Sequence, residues 1–125
     1  MKKDRVYNKL VRDRIPEIIE RDGYTPLIRH LGDEEYLYAL HEKLKEEMRE
    51  YMASRSMEEL ADVVEVINAI LVARGLNMEE LENLRQMKAR TNGLFHDRVY
   101  LERVMTQEEA KEYKEVLREE TAFSV

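Results

Sequence analysis

The chain has 125 residues, 27 acidic against 21 basic side chains for a net charge of −6, 38% charged and 43% hydrophobic positions, and no cysteine. That balance argues against a general binder of polymeric nucleic acid, which calls for a basic surface, and the missing thiols exclude disulfides and thiolate zinc sites. There is no signal-peptide core and no apolar run near the roughly 18 residues that a membrane helix requires, so the expected location is cytoplasmic, with no membrane partner.

Four Gly and two Pro in so charged a chain suit amphipathic helices, and the expected fold class is all-α. One domain is expected over 1–125, made of a basic N-terminal segment 1–32, a helical core 33–92 and a C-terminal segment with a helix, 93–125. Residues 1–14 carry Lys2, Lys3, Arg5, Lys9, Arg12 and Arg14 against Asp4 and Asp13. Two readings are open: a solvated terminal arm, or a clamp whose Arg side chains present planar donor forks to phosphate. Pro16 fits the first turn of a short helix over residues 15–21, closed by Gly23. Residues 24–31 read as extended, with Pro26 keeping them out of a central strand.

Gly32-Asp33-Glu34-Glu35 places negative charge at a helix start, and Leu37, Leu40, Leu44, Met48 and Tyr51 recur at spacings of three and four for roughly twenty residues. Residues 54–56 mark a turn, with Ser56 as N-cap and Glu59 completing a capping box. Leu60, Val64, Ile67 and Leu71 form the main stripe of the next helix, which ends near Arg74-Gly75. A third long helix is predicted over residues 78–90, halted by Asn92-Gly93. Residues 99–104 read as extended or irregular. Thr106 and Glu109 form a second capping box, opening a last helix to about residue 119 with a loose tail, 121–125.

Two acidic pairs stand out, Glu47-x-x-Glu50 and Glu59-x-x-Asp62. Residues three apart share a helix face, so each pair aims two carboxylates one way. Solvated surface is the ordinary reading of such pairs, and a cap is an ordinary reason for Glu59. On a wheel of about 100° per residue, however, Glu47 borders the stripe of Leu40, Leu44 and Tyr51, and Glu59 and Asp62 align with Val63, Val66 and Ile70, whereas Glu58 and Glu65 point to water. Acids drawn into a helix interface need a counter-charge, and hard oxygen donors favour Mg²⁺ or Mn²⁺. The helix over residues 57–73 is apolar around much of its circumference, more than one small subunit can cover, which predicts a homodimer or homotetramer. His30, His41 and His96 have no zinc spacing. Tyr36 and Phe95 read as core residues before base contacts.

Lys43-Leu44-x-Glu46-Glu47-x-x-Glu50 followed by Glu59-Leu60-Ala61-Asp62 resembles the signature of the MazG-like all-α nucleoside triphosphate pyrophosphohydrolases. Tyr7-Asn8-Lys9-Leu10-Val11-Arg12-Asp13-Arg14-Ile15-Pro16 and Lys88-Ala89-Arg90-x-x-Gly93-x-Phe95 resemble its branch of house-cleaning enzymes for noncanonical nucleotides. The resemblance implies an antiparallel helix bundle completed by oligomerisation, and Mg²⁺-dependent hydrolysis of a nucleoside triphosphate between its α- and β-phosphates. It further implies Glu47, Glu50, Glu59 and Asp62 as metal ligands and Glu46 as the acid that orients or deprotonates water. Lys9, Arg12, Arg14, Lys88 and Arg90 are the candidates for the triphosphate. Eight residues separate Glu50 from Glu59, fewer than in many relatives. Two alternatives stay open: the phosphoribosyl-ATP pyrophosphohydrolase of histidine biosynthesis, and a non-catalytic dimerisation or regulatory module whose acids pair with Lys43, Lys45 and Arg49.

Overall fold

The computed structural model describes residues 5–123, and the expected basic side chains Lys2 and Lys3 lie outside that range. The described residues are helical, with no strand: α1 (Ile15–Arg21), α2 (Asp33–Ser54), α3 (Met57–Ala73), α4 (Met78–Asn92) and α5 (Gln107–Phe123). Contacts divide the chain into two units, Met1–Met87 and Lys88–Val125. No helix among the described residues is long and apolar enough to cross a membrane.

The first unit is organised by the α2–α3 hairpin. α2 starts at Gly32, which offers no side-chain cap, and Asp33, Glu34 and Glu35 in its first turn meet the positive end of the helix dipole. Only Arg55 and Ser56 separate α2 from α3. Arg55 takes the left-handed conformation (φ +59°), from which its amide donates to the Tyr51 carbonyl at 2.6 Å. Glycine usually supplies this helix ending; here a residue with a Cβ carries the strain, and the Arg55 Nε bond to the Met52 carbonyl at 3.0 Å offsets part of it. At the far end of α3, Gly75 (φ +75°) supplies the left-handed residue, and the Leu76 amide reaches back to the Leu71 carbonyl at 2.7 Å.

The buried apolar side chains are Leu40 on α2 and Val66 and Leu71 on α3, at 2%, 8% and 8% exposure. The expected stripe of α3 holds in its C-terminal half, where Leu71 is buried and Ile67 half-buried, and fails at its start: Leu60 and Val64 are exposed, and the neighbouring ridge of Asp62, Val63, Val66 and Ile70 turns inward beside them. The antiparallel partner is the reason, because the short turn sets which side of α3 meets α2.

In the second unit, the Glu109 amide donates to Thr106 Oγ1 at 3.1 Å, the expected cap of α5. The helix runs to Phe123, four residues beyond the expected end, so 121–123 are not loose; Ser124 and Val125 lie outside the described residues. Phe95, expected in a core, is 97% exposed.

Because Arg55 sits where glycine is unstrained, Arg55→Gly should stabilise the protein by about 1 kcal/mol, seen as a melting temperature a few degrees higher. A lower melting temperature would mean that the Arg55 bond to Met52 outweighs the backbone strain.

Candidate metal centre

The hairpin brings the acids of α2 and α3 into one volume. Glu47 is buried, with 6% exposure, in line with Leu40 on the inner face of α2. Its position follows from the helical period, since residue 47 lies seven after Leu40 and thus close to the same angle on the helix. Two triads of carboxylates meet there: Glu46, Glu47 and Glu50, all from α2, and Glu47, Glu59 and Asp62, which bridge the hairpin. In each, one oxygen per residue lies within 4.8 Å of the others. Glu47 belongs to both.

Glu59 deserves its place in the second triad because the capping box is only half formed. The Glu59 amide donates to Ser56 Oγ at 3.3 Å, but the Ser56 amide donates to Ser54 Oγ at 3.2 Å, not to the Glu59 carboxylate. Glu59 Oε2 is consequently buried without a hydrogen-bond partner, and so is Glu47 Oε2. Buried polar atoms normally find a partner, so two orphaned oxygens in one small volume mark a place where positive charge is wanted.

Three cations already reach the cluster. Lys43 Nζ, on the preceding turn of α2, lies 3.2 Å from Glu46 Oε2 and 3.3 Å from Glu47 Oε1. Lys9 Nζ donates to Glu46 Oε1 at 2.8 Å, and Arg12 Nη2 to Asp62 Oδ1 at 2.7 Å, with Nη1 3.8 Å from Glu65 Oε1. Set against Glu46, Glu47, Glu50, Glu59 and Asp62, these three leave two formal negative charges uncompensated. Burial pushes the Glu47 carboxyl above its ordinary range; Lys43 opposes this, and Glu50 adds to it. In Glu46 burial acts the same way, but Lys9 and Lys43 outweigh it and hold the carboxyl below the ordinary range. Lys9 is raised, first by its hydrogen bond to Glu46, against slight desolvation and with the charges of Glu46, Glu50 and Glu47 assisting.

The cluster therefore gathers Glu46, Glu47, Glu50, Glu59, Asp62, Lys9 and Arg12. Arg14 is not among them: its Nε binds Glu17 Oε2 at 3.2 Å on the neighbouring turn of α1, because residues three apart at a helix start meet before more distant partners do. Lys88 and Arg90 are exposed on α4 and belong to the second unit. Lys43 matters more than its sequence reading indicated, as a half-buried counter-ion to two site acids. Its spacings of three and four to Glu46 and Glu47 were the available signal.

A carboxyl raised in the folded state makes the fold less stable once ionised, so the Glu47 penalty is absent below the ordinary carboxylate range and grows as pH rises through its folded value. Glu47→Gln should raise the melting temperature of the metal-free protein, by more at about pH 8 than at about pH 4. Mg²⁺ should then stabilise the wild type at about pH 8 and leave the variant unchanged. Thermal melts across pH, with and without Mg²⁺, test both points, and a variant less stable than wild type throughout would refute the assignment.

No protein-family model matches this chain, and no solved structure matches it. It is similar to an uncharacterised protein of Mycolicibacterium smegmatis, with 56% identity over 46 residues that cover 37% of this chain and 47% of the relative, so the likeness spans about half the relative's length.

Proposed function

We propose that the chain is a divalent-metal-dependent nucleoside triphosphate pyrophosphohydrolase of the MazG-like kind. The observation that carries this reading is Glu47, buried, common to both acid triads, with one carboxylate oxygen lacking any partner. A donor set made wholly of carboxylates fits Mg²⁺ or Mn²⁺. Glu47, Glu50, Glu59 and Asp62 would hold the metal, which when bound neutralises phosphate charge and activates water.

The chain's own residues supply the rest. Lys9 and Arg12 stand at the rim, about half exposed, where they can turn from carboxylate to phosphate oxygens. Glu46, with Lys43 3.2 Å from its carboxylate, accepts a hydrogen bond from the attacking water and its proton as the new bond to phosphorus forms. The anhydride bond to the bridging oxygen breaks, and nucleoside monophosphate and pyrophosphate depart. The substrate class is a nucleoside triphosphate, noncanonical ones included, in a cytoplasmic setting.

The non-catalytic reading draws support from the ion pairs, which show Lys43, Lys9 and Arg12 already engaged. It provides no partner for Glu47 Oε2 or Glu59 Oε2. Assembly into a homodimer or homotetramer is supported by the exposed apolar side chains of the hairpin, Met57, Leu60, Val64 and Val72 on α3 and Met48 and Met52 on α2.

Pyrophosphate release from a panel of standard and damaged triphosphates, with Mg²⁺ and with Mn²⁺, is the direct test. Activity should appear with at least one nucleotide and fall on the order of 100-fold or more in Glu47→Gln and Asp62→Asn, with helicity by circular dichroism retained. Turnover of phosphoribosyl-ATP alone would select the histidine-pathway reading, and no turnover with no divalent-ion binding would select the non-catalytic one. Sedimentation should give a dimer or larger, and Leu60→Lys should shift it toward monomer.

A further inference from the structure

Two basic side chains of the N-terminal segment, Lys9 and Arg12, are distributed one to each acid triad. Lys9 sits on Glu46, in the triad confined to α2, at 2.8 Å. Arg12 sits on Asp62, in the triad that bridges the hairpin, at 2.7 Å. The segment holding them belongs to no helix until Ile15, and its backbone hydrogen bonds, from the Ile15 amide to the Arg12 carbonyl and from the Ile18 amide to the Arg14 carbonyl, lie at its end. Asn8, just before Lys9, takes a left-handed φ of +45°. The side chains of Val6 and Tyr7 are 81% and 62% exposed, and the apolar burial in this stretch is confined to Leu10, half-buried, and Val11. Its polar attachments to the hairpin are the ion pairs of Lys9 with Glu46 and of Arg12 with Asp62 and Glu65.

We infer that residues 5–12 form a strap that adds positive charge to the acid cluster in the metal-free state, Lys9 beside one acid triad and Arg12 beside the other, and that divalent-ion binding displaces it. This regulatory device rests on the metal reading given above. Arg12 cannot remain at full strength on Asp62 while that carboxylate turns to a divalent ion, because each oxygen lone pair serves one partner, and an ion held by the neighbouring Glu47 and Glu50 repels the Lys9 ammonium from Glu46. Displacement leaves the same two side chains free at the mouth of a loaded site, so metal loading would precede and prepare phosphate capture. Lys43, by contrast, is held on α2 and only 15% exposed, and it stays in place as the permanent counter-ion.

Competition makes a quantitative demand on divalent affinity. Partly exposed pairs of this kind are each worth up to about fivefold in an equilibrium, so the strap would weaken metal binding by up to about 25-fold. Mg²⁺ binding is measured by calorimetry on the full chain and on Lys9→Met/Arg12→Met, with Arg14→Met/Arg21→Met as a control that removes the same charge from α1 and its N-terminal border. The strap variant should bind about tenfold more tightly than wild type, and the control should change by about twofold or less. In parallel, ¹⁵N relaxation of the wild-type backbone amides of residues 6–12, and the Arg12 Nε–H signal, should report increased motion on Mg²⁺ addition. Equal tightening in both double variants, or Mg²⁺ bound with the strap signals unmoved, would overturn the strap and leave the metal centre standing. Mg²⁺ bound only by the strap variant would support displacement in its strongest form. Failure of every form of the protein to bind Mg²⁺ or Mn²⁺ would remove the metal reading and the strap together.

Discussion

The arrangement of the first unit depends on one constraint, a carboxylate held inside a helix interface. Glu47 lies among the most buried side chains of the described residues, alongside Leu40, Val66 and Leu71. An unpaired ion in that position costs several kcal/mol, comparable with what each of its apolar neighbours contributes by burial, about 1.5–3 kcal/mol. Lys43 offsets part of that cost from the preceding turn, and one oxygen is left with nothing. A structural role alone would be better served by an apolar residue, which is the ground for proposing Glu47 as a ligand.

Magnitudes also reconcile the two readings of the ion pairs. Exposed or half-exposed pairs contribute about 0–1 kcal/mol each, while binding of a divalent ion with a millimolar dissociation constant corresponds to about 4 kcal/mol. The contacts of Lys9 and Arg12 with the acids are therefore strong enough to define a metal-free arrangement and weak enough to yield to a cation. Salt bridges at the cluster do not by themselves argue against a metal centre; they are what an acid cluster acquires when nearby bases are its only counter-ions. The Glu46 carboxyl held below its ordinary range and the Glu47 carboxyl pushed above it, side by side on α2, follow from burial that Lys9 and Lys43 outweigh at Glu46 and that Lys43 does not outweigh at Glu47.

α3 carries two unlike faces. Glu59, Asp62, Val63, Val66 and Ile70 turn toward α2, combining acids with apolar side chains on one ridge, while Leu60 and Val64 face outward at 44% and 50% exposure. A hairpin buries one side of each helix, and a helix apolar around most of its circumference has surface left over. The site and the surplus apolar surface are thus two consequences of one sequence pattern.

The sequence by itself determined the helical class, the helix starts at Asp33 and Met57, the Ser56 cap, and the pairing of acids on shared faces, because all of these are set by neighbours within about four residues. The i, i+3 spacing was enough to bring Glu47 to Glu50 and Glu59 to Asp62. What only the tertiary structure decided is which faces meet. The two-residue turn at Arg55 and Ser56 set the rotation of α3 against α2, turning the ridge of Asp62 and Val66 inward and leaving Leu60 and Val64 outside. Tertiary packing also made Glu47 common to two triads and set Lys9 on Glu46 and Arg12 on Asp62. Those outcomes join residues up to 50 positions apart, where the local periodicity of a helix carries no information and the geometry of packing does.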